Sequence, residues 1–254
     1  MINALRQRIN QKHRTVGYPA APPIVSDRFR GLPQIQPAAC PDDCCSCSAV
    51  CPASAISRTP SGVYIDLGRC LFCGACARTC PAHAISFSRD HRLATRNRDE
   101  LVYNGNIHPG VQALSGTMRK LFGRSLSLRQ VCAGGCNGCE PDINVLSTIV
   151  YDLSRFGIKF VASPRHADGL LITGPVTIAM RAALMKTYQA VPEPKLVIAT
   201  GACAISGGLY RSHTECEDGA ASCIPVDLFI PGCPPHPVTI LDGLLSLLGR
   251  IPPG

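Results

Sequence analysis

The stretch that decides the fold runs from Cys70 to Pro81 and reads CLFCGACARTCP. Its cysteines follow the spacing C-x2-C-x2-C-x3-C-P. With this spacing one short loop supplies three thiolates to a 4Fe–4S cluster, and the fourth cysteine reaches a second cluster when a partner run exists. Small residues at Gly74 and Ala75 allow the backbone to close on the cluster. The run therefore predicts an iron–sulfur module.

A partner run lies upstream, at 44–52, and reads CCSCSAVCP. Both runs fit the pattern Cys-x2-Cys-x3-Cys-Pro-Ala-x-Ala-Ile, which ends at Ile56 in the first copy and at Ile85 in the second. This internal repeat predicts a pseudo-symmetric module that holds two clusters. The alternatives are a zinc site, which favours separated ligand pairs, and a disulfide framework, which needs an exported protein; no export signal precedes the motif.

Residues 38–90 resemble the bacterial dicluster ferredoxins, an α+β fold. The resemblance and the spacing give two ligand sets, which are Cys40, Cys44, Cys47 and Cys80 for cluster 1, and Cys51, Cys70, Cys73 and Cys76 for cluster 2. One departure concerns Cys40, which lies one residue further from the next cysteine than the pattern requires. Cys45, the neighbour of Cys44, is the alternative ligand at that corner.

Composition limits the function further. The chain has 254 residues, 46% of them hydrophobic, and 16 cysteines, which indicates a packed protein that uses its thiols for metal. Its formal charge of +8 would suggest an anionic partner, but clusters with thiolate ligands add negative charge that this count omits. We therefore expect no nucleic-acid binding. No apolar stretch is long enough to span a membrane.

The chain divides into four parts by composition. Residues 1–37 are predicted to form an extended arm, 38–90 the ferredoxin domain, 91–125 a connector, and 126–254 a second domain. The start of the arm is basic and weakly amphipathic, which is typical either of a solvated helix or of a segment that lies on a membrane or a neighbouring subunit. Tyr18-Pro19 and Phe29-Arg30-Gly31 resemble the sequence that precedes the dicluster ferredoxin subunit of respiratory complex I and its hydrogenase relatives.

The second domain alternates predicted strands and helices. Strands are predicted at 126–131, 158–162, 169–173, 195–200 and 226–230, and helices at 141–156, 176–189 and 238–248. This alternation predicts an α/β domain, a flavodoxin-like parallel sheet with helices on both faces. Cys136 and Cys139 follow the first strand, and Cys203 and Cys233 follow two later ones. Ligands of such sheets gather outside the carboxyl ends of the strands, so these thiols can converge.

Three segments of this domain resemble the small iron–sulfur subunit shared by complex I and NiFe hydrogenases. They are CNGCE at 136–140, GACAISGG at 201–208 and PGCPP at 231–235. The resemblance implies a third 4Fe–4S cluster, with Cys136, Cys139, Cys203 and Cys233 as its ligands. Complex I has two adjacent cysteines at the first site, whereas membrane-bound hydrogenases of the formate hydrogenlyase type have Cys-x2-Cys. The spacing therefore favours the hydrogenase branch.

Glu140 is the candidate catalytic residue. The resemblance associates a glutamate at this place with proton movement near the active site, and the alternative is an acid that the helix dipole stabilises. We expect its pKa to be raised by a neighbouring negative cluster and lowered by the helix start. Cys132, Cys216 and Cys223 have no place in any motif and are interpreted as buried or loop thiols.

The resemblance as a whole implies an oxidoreductase subunit that passes electrons through three 4Fe–4S clusters to or from a separate NiFe-type large subunit. Further expected partners are complex I-like soluble and membrane subunits, and a ferredoxin or a formate dehydrogenase as electron donor. The expected location is the cytoplasm, peripheral on the inner face of the cell membrane. One alternative is a subunit of a complex I-like NADH or ferredoxin:quinone oxidoreductase, and another is a non-catalytic scaffold.

Overall fold

A computed structural model describes residues 2–12, 14–41, 44–60 and 62–252. The arm begins with helix α1 (Ile2–Gln11), whose residues are all exposed. It then lies on the second domain: the Val16 amide donates to the Val150 carbonyl at 2.8 Å, and the Arg155 guanidinium donates to the Tyr18 carbonyl at 2.7 Å. The arm ends in strand β1 (Pro33–Ile35).

The ferredoxin domain consists of short elements around the two cysteine runs. They are α2 (Ser46–Ala49), β2 (Ile56–Thr59), β3 (Gly62–Asp66), α3 (Ala75–Thr79), β4 (Ile85–Phe87) and β5 (Val102–Tyr103), with 3-10 turns at Pro37–Ala39 and Asp99–Leu101. Strand β1 pairs antiparallel with β4, and β2, β3 and β5 form an antiparallel sheet in that order. The arm and the predicted connector thus each supply a strand to the ferredoxin domain, so its paired strands extend beyond 38–90 on both sides.

The second domain is a five-stranded parallel sheet. After helix α4 (Gly116–Phe122) its elements are β6 (Leu126–Cys132), α5 (Cys139–Asn144), β7 (Ile158–Phe160), β8 (Gly169–Thr173), α6 (Ile178–Ala190), β9 (Leu196–Thr200), α7 (Ala202–Ser206), β10 (Leu228–Ile230) and α8 (Pro237–Leu247). Short 3-10 turns lie at Val145–Ser147, Leu153–Phe156, Pro164–His166, Gly208–Tyr210 and Ala220–Ser222. The strands run in the order β10-β9-β8-β6-β7, all parallel. Counted along the domain this is 2-1-3-4-5, the flavodoxin-like order, and the predicted α/β fold is confirmed.

The two faces of the parallel sheet have different neighbours. Leu171 and Ile198 point to the side of α8, where Leu241 and Leu244 are fully buried. Alternate residues of the same strands point to the other side, since side chains alternate along a strand. There they join one hydrophobic core with α6 and with ferredoxin residues such as Leu67. The two domains therefore share a continuous core rather than meeting only through a linker.

Two polar contacts add to the contact between the domains. The Ser206 hydroxyl, at the end of α7, donates to the Gly68 carbonyl at 2.9 Å. Thr95 forms an antiparallel bridge with Phe229 at the edge of β10. The first contact ties the residues just before the second cysteine run to α7, and the second ties the predicted connector to β10.

The predicted helix over 141–156 is wrong. Helix α5 already begins at Cys139 and ends at Asn144, and Val145–Ser147 follows as a 3-10 turn. The helix stops because Thr148 is extended and its hydroxyl donates to the Val145 carbonyl at 2.7 Å, which replaces the next helical hydrogen bond. Ile149, which lies within the predicted helix, is 72% exposed. Within the described ranges, no helix is both long and apolar enough to cross a membrane.

Candidate iron–sulfur sites

The first cysteine set surrounds one apolar cavity. Its thiols are those of Cys40, Cys44, Cys47 and Cys80, and they line the cavity together with Ile35, Val63 and Ile85. Cys47 lies on α2, and Cys80 directly follows α3, so the fourth cysteine of the second run does cross to the site of the first run. The set is the one that the sequence predicted for cluster 1.

Hydrogen bonds reach the sulfur atoms of this set. The Arg58 guanidinium donates to Cys40 Sγ at 3.4 Å and to the Cys44 carbonyl at 2.8 Å. The Ala84 amide donates to Cys80 Sγ at 3.2 Å. The backbone amide of Ser46, followed by its hydroxyl, lowers the pKa of the Cys44 thiol. Such donors stabilise thiolate sulfur, the form that binds metal.

Cys45 does not face this cavity. It is exposed, directly precedes α2, and is not among the residues that line the cavity. The two residues 42 and 43, which include the extra residue of the loop, lie outside the described residues. The geometry thus favours Cys40 over Cys45 as the fourth thiol at this site.

The second set surrounds a matching cavity on the other side of the repeat. Cys51, Cys70, Cys73 and Cys76 line it, together with Ala53, Ala55, Ile65 and Phe87. Backbone amides donate to sulfur here as well, from Ala55 to Cys51 Sγ and from Phe72 to Cys70 Sγ, both at 3.3 Å. Burial raises the pKa of the Cys70 thiol to about 12 and that of Cys76 to about 11. Thiols in so apolar a site become thiolates only beside a positive metal centre.

The third set lies at the carboxyl edge of the parallel sheet, as predicted. Cys136 and Cys139 follow β6, Cys203 lies on α7 after β9, and Cys233 follows β10. Burial, reinforced by Cys233 and Cys136, raises the pKa of Cys203 to about 11. Burial, followed by the Glu140 carboxylate and the neighbouring thiols, likewise raises the pKa of Cys139. Such mutual effects are expected of thiols that lie close together.

Two glycines make room for these sulfur atoms. A Cβ on Gly201 would stand 2.7 Å from Cys139 Sγ, and a Cβ on Gly208 would stand 2.7 Å from Cys203 Sγ. Both glycines also have positive φ angles, of 93° and 56°, which side chains disfavour. The donor chemistry and the close backbone fit a thiolate-bound cluster. Among the described residues, no three His, Cys, Asp or Glu side chains are placed to hold a single metal ion.

Glu140 is buried beside this third set, in the first turn of α5. Its Oε1 accepts a hydrogen bond from the Thr173 hydroxyl at 2.5 Å, while its buried Oε2 has no hydrogen-bond partner among the residues that the structure describes. Burial would raise the pKa of this carboxyl, but donors from Thr173, Cys132 and the backbone outweigh it and lower the pKa. Any rise of this pKa toward neutrality would therefore have to come from the charge of the cluster.

Sequence reasoning missed two residues of these sites, Thr173 and Arg58. Thr173 ends β8 at the same sheet edge as the cysteines, so its place in the strand order could have indicated it. Arg58 reaches Cys40 and Cys44, 18 and 14 positions earlier in the chain, through the tertiary fold. Of the unassigned thiols, Cys132 is exposed and reaches Glu140, while Cys216 and Cys223 are half-buried in the segment after α7.

A groove joins the second and third sets. One wall carries Leu71 and Phe72, which lie between Cys70 and Cys73, and the other wall carries Cys233 and His236. Arg30 of the arm also lines the groove, and its guanidinium donates to the Phe72 carbonyl at 3.3 Å. The ligand loops of the two sites thus face each other directly.

Comparisons with known proteins agree with this organisation. A family model described as NADH ubiquinone oxidoreductase, 20 Kd subunit, matches residues 136–247, and a 4Fe-4S binding domain matches residues 63–86. Formate hydrogenlyase subunit 7 of Escherichia coli is 40% identical over 63% of this chain and 62% of its own length. The probable membrane-bound hydrogenase subunit mbhJ of Pyrococcus furiosus is 44% identical over 52% of this chain and 79% of its own.

A third relative comes from a different enzyme. It is a subunit of the NADH-quinone oxidoreductase of Desulfovibrio desulfuricans, and it is 39% identical over 55% of this chain and 76% of its own length. These relatives are all oxidoreductase subunits, and the first two are named as subunits of hydrogen-linked enzymes. The chain is an oxidoreductase subunit with an iron–sulfur domain, and it belongs to the family of the 20 kDa subunit of NADH ubiquinone oxidoreductase.

Proposed function

We propose that this chain is the electron-transfer subunit of a membrane-associated NiFe hydrogenase complex of the formate hydrogenlyase type. It would hold three 4Fe–4S clusters and exchange electrons with a separate catalytic large subunit. The clusters, when bound, would supply one-electron transfer, and the protein would set their potentials through ligands, hydrogen bonds and burial. The family of the 20 kDa subunit consists of oxidoreductase subunits, and we assign this chain to its hydrogenase members.

The groove between the second and third cysteine sets is the observation that carries this proposal. Leu71 and Phe72 on one wall and Cys233 on the other bring two ligand loops face to face. The first and second sets adjoin through α2 and α3, which carry Cys47 and Cys76. Three cysteine sets that adjoin in this way support an electron-conducting subunit over a scaffold, which needs no such series.

The hydrogenase branch is supported by the loop of the third site. Asn137 has a positive φ of 65° and, with Gly138, separates Cys136 from Cys139. This is the spacing that resembles membrane-bound hydrogenases. The complex I-like alternative, with a quinone as the acceptor, keeps one specific argument, because the NADH-quinone oxidoreductase relatives are 39% identical or more over about half of the chain.

The proposed partners follow from the same resemblance. A NiFe-type large subunit would cover the third site, and complex I-like soluble and membrane subunits would complete the assembly. A ferredoxin or a formate dehydrogenase would deliver electrons to the ferredoxin domain. Attachment to the inner face of the cell membrane would be peripheral, through these subunits.

Purification of the native complex under anaerobic conditions, with iron and nickel analysis of each subunit, tests the proposal. We expect roughly twelve irons on this chain, four for each cubane, and nickel on a co-purifying subunit. About eight irons would mean that one of the three sites does not hold a cubane. A complex without nickel that reduces quinone would replace the hydrogenase assignment with the complex I-like one.

A further inference from the structure

The internal repeat is broken at one position that touches a cluster site. Arg58 and Phe87 are equivalent, since each lies two residues after the isoleucine that ends its copy of the repeat. Phe87 presents an apolar ring to the second cavity. Arg58 instead places a cation on the first set, with its Nη1 donating to Cys40 Sγ at 3.4 Å and to the Cys44 carbonyl at 2.8 Å.

One pair of contacts to sulfur follows the repeat. The Ala55 amide donates to Cys51 Sγ at 3.3 Å, and its equivalent, the Ala84 amide, donates to Cys80 Sγ at 3.2 Å. These two bonds affect the two sites alike, because Cys51 and Cys80 are exchanged between the sites. The first site therefore has the charged donor Arg58 where the second has the ring of Phe87, and the matched amide bonds do not offset this difference.

Reduction adds one electron to a cluster that already carries negative charge. A charge-assisted hydrogen bond to a ligand sulfur stabilises the more negative state more strongly, so it raises the reduction potential. We propose that Arg58 holds the reduction potential of the site of Cys40, Cys44, Cys47 and Cys80 above that of the site of Cys51, Cys70, Cys73 and Cys76. This inference rests on the proposed pair of cubanes in the ferredoxin domain.

A functional consequence follows from the position of the two sites. The second set faces the groove toward the third set through Leu71 and Phe72, while the first set lies on the far side of the repeat. An electron that enters the ferredoxin domain would then reside at equilibrium on the Arg58 side. The module would store charge there and pass it toward the catalytic partner through a less favourable site.

The test compares Arg58→Met with Arg78→Met in the full chain, purified anaerobically with its clusters. Arg78 is the matched control, because its guanidinium lies beside the second set but donates to the Cys73 carbonyl, at 3.0 Å, and not to a ligand sulfur. Reductive titration with dithionite, followed by EPR, gives the potential of each cluster. The signal that Cys44→Ala removes identifies the first site.

We expect Arg58→Met to make that cluster about tenfold harder to reduce at a fixed solution potential, a shift of about 59 mV for one electron. The signal of the second site should stay within a third of that shift, and Arg78→Met should leave the first site unchanged. No shift in Arg58→Met, or an equal shift at the first site in Arg78→Met, would overturn the proposal.

Loss of the cluster is a separate outcome. If Arg58→Met fails to retain about four of the irons, Arg58→Lys preserves the positive charge and is titrated in its place. A cluster that is present in Arg58→Lys, with a potential between those of the wild type and the second site, supports the proposal. If neither variant retains the irons, Arg58 is structural and the proposal is wrong. The iron count of the wild type tests the proposed pair of cubanes independently of these shifts.

Discussion

Cys40 and Cys45 compete for the same corner of the first site. Cys40 lines the cavity and accepts a hydrogen bond from Arg58, whereas Cys45 is exposed. Spacing alone could not decide between them, because an inserted residue can bulge out of a loop without moving the ligand. The choice of ligand depends on the directions in which the two side chains point, and these directions are set by the tertiary fold.

We therefore expect Cys40→Ala to abolish one ferredoxin-type EPR signal, because the cluster loses one of its four thiolates. Cys45→Ala should leave every signal intact, and this variant is the matched control for loss of a thiol in the same loop. Anaerobic EPR of the dithionite-reduced chain, together with iron analysis, checks both variants. If Cys45→Ala removes the signal and Cys40→Ala does not, the loop is assigned wrongly.

One carboxylate oxygen of Glu140 can accept a further hydrogen bond. Its Oε1 accepts a hydrogen bond from Thr173, while its Oε2 is buried and has no hydrogen-bond partner within the described part of the chain, at the sheet edge where the third cysteine set lies. Glu140→Gln keeps the size and most hydrogen bonds but cannot carry a proton. We expect all clusters to remain, and hydrogen turnover by the whole complex to fall roughly tenfold or more, as for loss of a positioned proton-transfer group.

Asp142→Asn is the control for this experiment, because it removes another acid from the same short helix. Turnover assays of the complex, with iron counts and electron transfer to an artificial acceptor, separate the outcomes. Normal turnover in Glu140→Gln would leave this residue as an acid at a helix start. Loss of the third cluster would make it structural, and the proton path would then lie in the partner subunit.

The sequence makes its firmest predictions for residues whose role depends on spacing. The ligand runs identify their own cysteines, since a cluster imposes a fixed pattern on a short loop. Arg58 and Thr173 were not predicted, because their contacts join residues that are 18 and 33 positions away in the chain. No local pattern distinguishes such residues from ordinary strand residues.

At the scale of elements, hydrophobic periodicity predicted the buried strands correctly, but it predicted a helix that continues beyond the end of α5. The five strands of the parallel sheet all contain predicted strand residues, because buried parallel strands read as continuous apolar runs. Beyond Asn144 the same periodicity continues without a helix, since the Thr148 hydroxyl takes the carbonyl that a helix would use. A single side chain hydrogen bond can thus end an element that the pattern would extend.

The arm packs against α8 through a buried cluster of titratable side chains. The Tyr18 hydroxyl donates to Asp242 Oδ1, and His91 Nε2 lies 3.3 Å from that hydroxyl. Burial raises the pKa of Asp242 to about 6, against the opposing effects of Tyr18 and Arg92. Asp90 adds to the rise. Burial also lowers the pKa of His91, so this site favours neutral groups.

The sign of the pH effect follows from the raised pKa. Below about pH 4 Asp242 is protonated in both the folded and the unfolded state, and its burial carries no ionisation cost. As pH rises from about 4 to 6, the unfolded state loses its proton first, so stability falls; the full cost is about 3 kcal/mol. This cost stays constant at higher pH.

Asp242→Asn cannot ionise, and its amide oxygen can still accept from Tyr18. We expect Asp242→Asn to be more stable relative to wild type at pH 7.5 than at pH 5. The two gains in free energy of unfolding should differ by roughly 1 kcal/mol, and the unfolding temperatures should differ in the same direction. Tyr18→Phe, which removes the donor, should extend the falling range to higher pH, because the pKa of Asp242 rises in the folded state and not in the unfolded one. Circular dichroism of the anaerobic chain measures both, and equal differences at the two pH values would contradict the assignment.

At the scale of the whole molecule, the sequence predicted the kind of each domain but not how they join. The flavodoxin-like strand order follows from alternating strands and helices, which admit few topologies. The shared core does not follow, because the arm and the predicted connector read as irregular chain, yet each contributes a strand to the ferredoxin domain. Strands of two or three residues carry too little pattern to be recognised.

Helix α1 presents an exposed apolar stripe that could contact either a neighbouring subunit or a membrane. Ile2, Leu5 and Ile9 form a narrow apolar stripe, exposed by 84%, 66% and 68%, beside the cations Arg6 and Arg8. A helix of ten residues is marginal in water without a contact surface. Three apolar side chains offer a small area, and stable lipid anchoring generally needs two strong signals. The stripe therefore favours contact with a neighbouring subunit over contact with a membrane.

We predict that attachment to the membrane depends on partner subunits, with α1 docking against one of them. Deleting residues 1–12 leaves the contact of Val16 with Val150 intact, so the rest of the arm keeps its place. The native complex with this deletion should lose α1-dependent subunit contacts, while the isolated wild-type chain should not sediment with vesicles of anionic phospholipid at physiological salt. Leu5→Glu with Ile9→Glu, which keeps the helix length and disrupts the stripe, should reproduce the deletion. The contrary result would be tight vesicle binding by the isolated chain that both changes abolish, because α1 would then be a lipid anchor on its own.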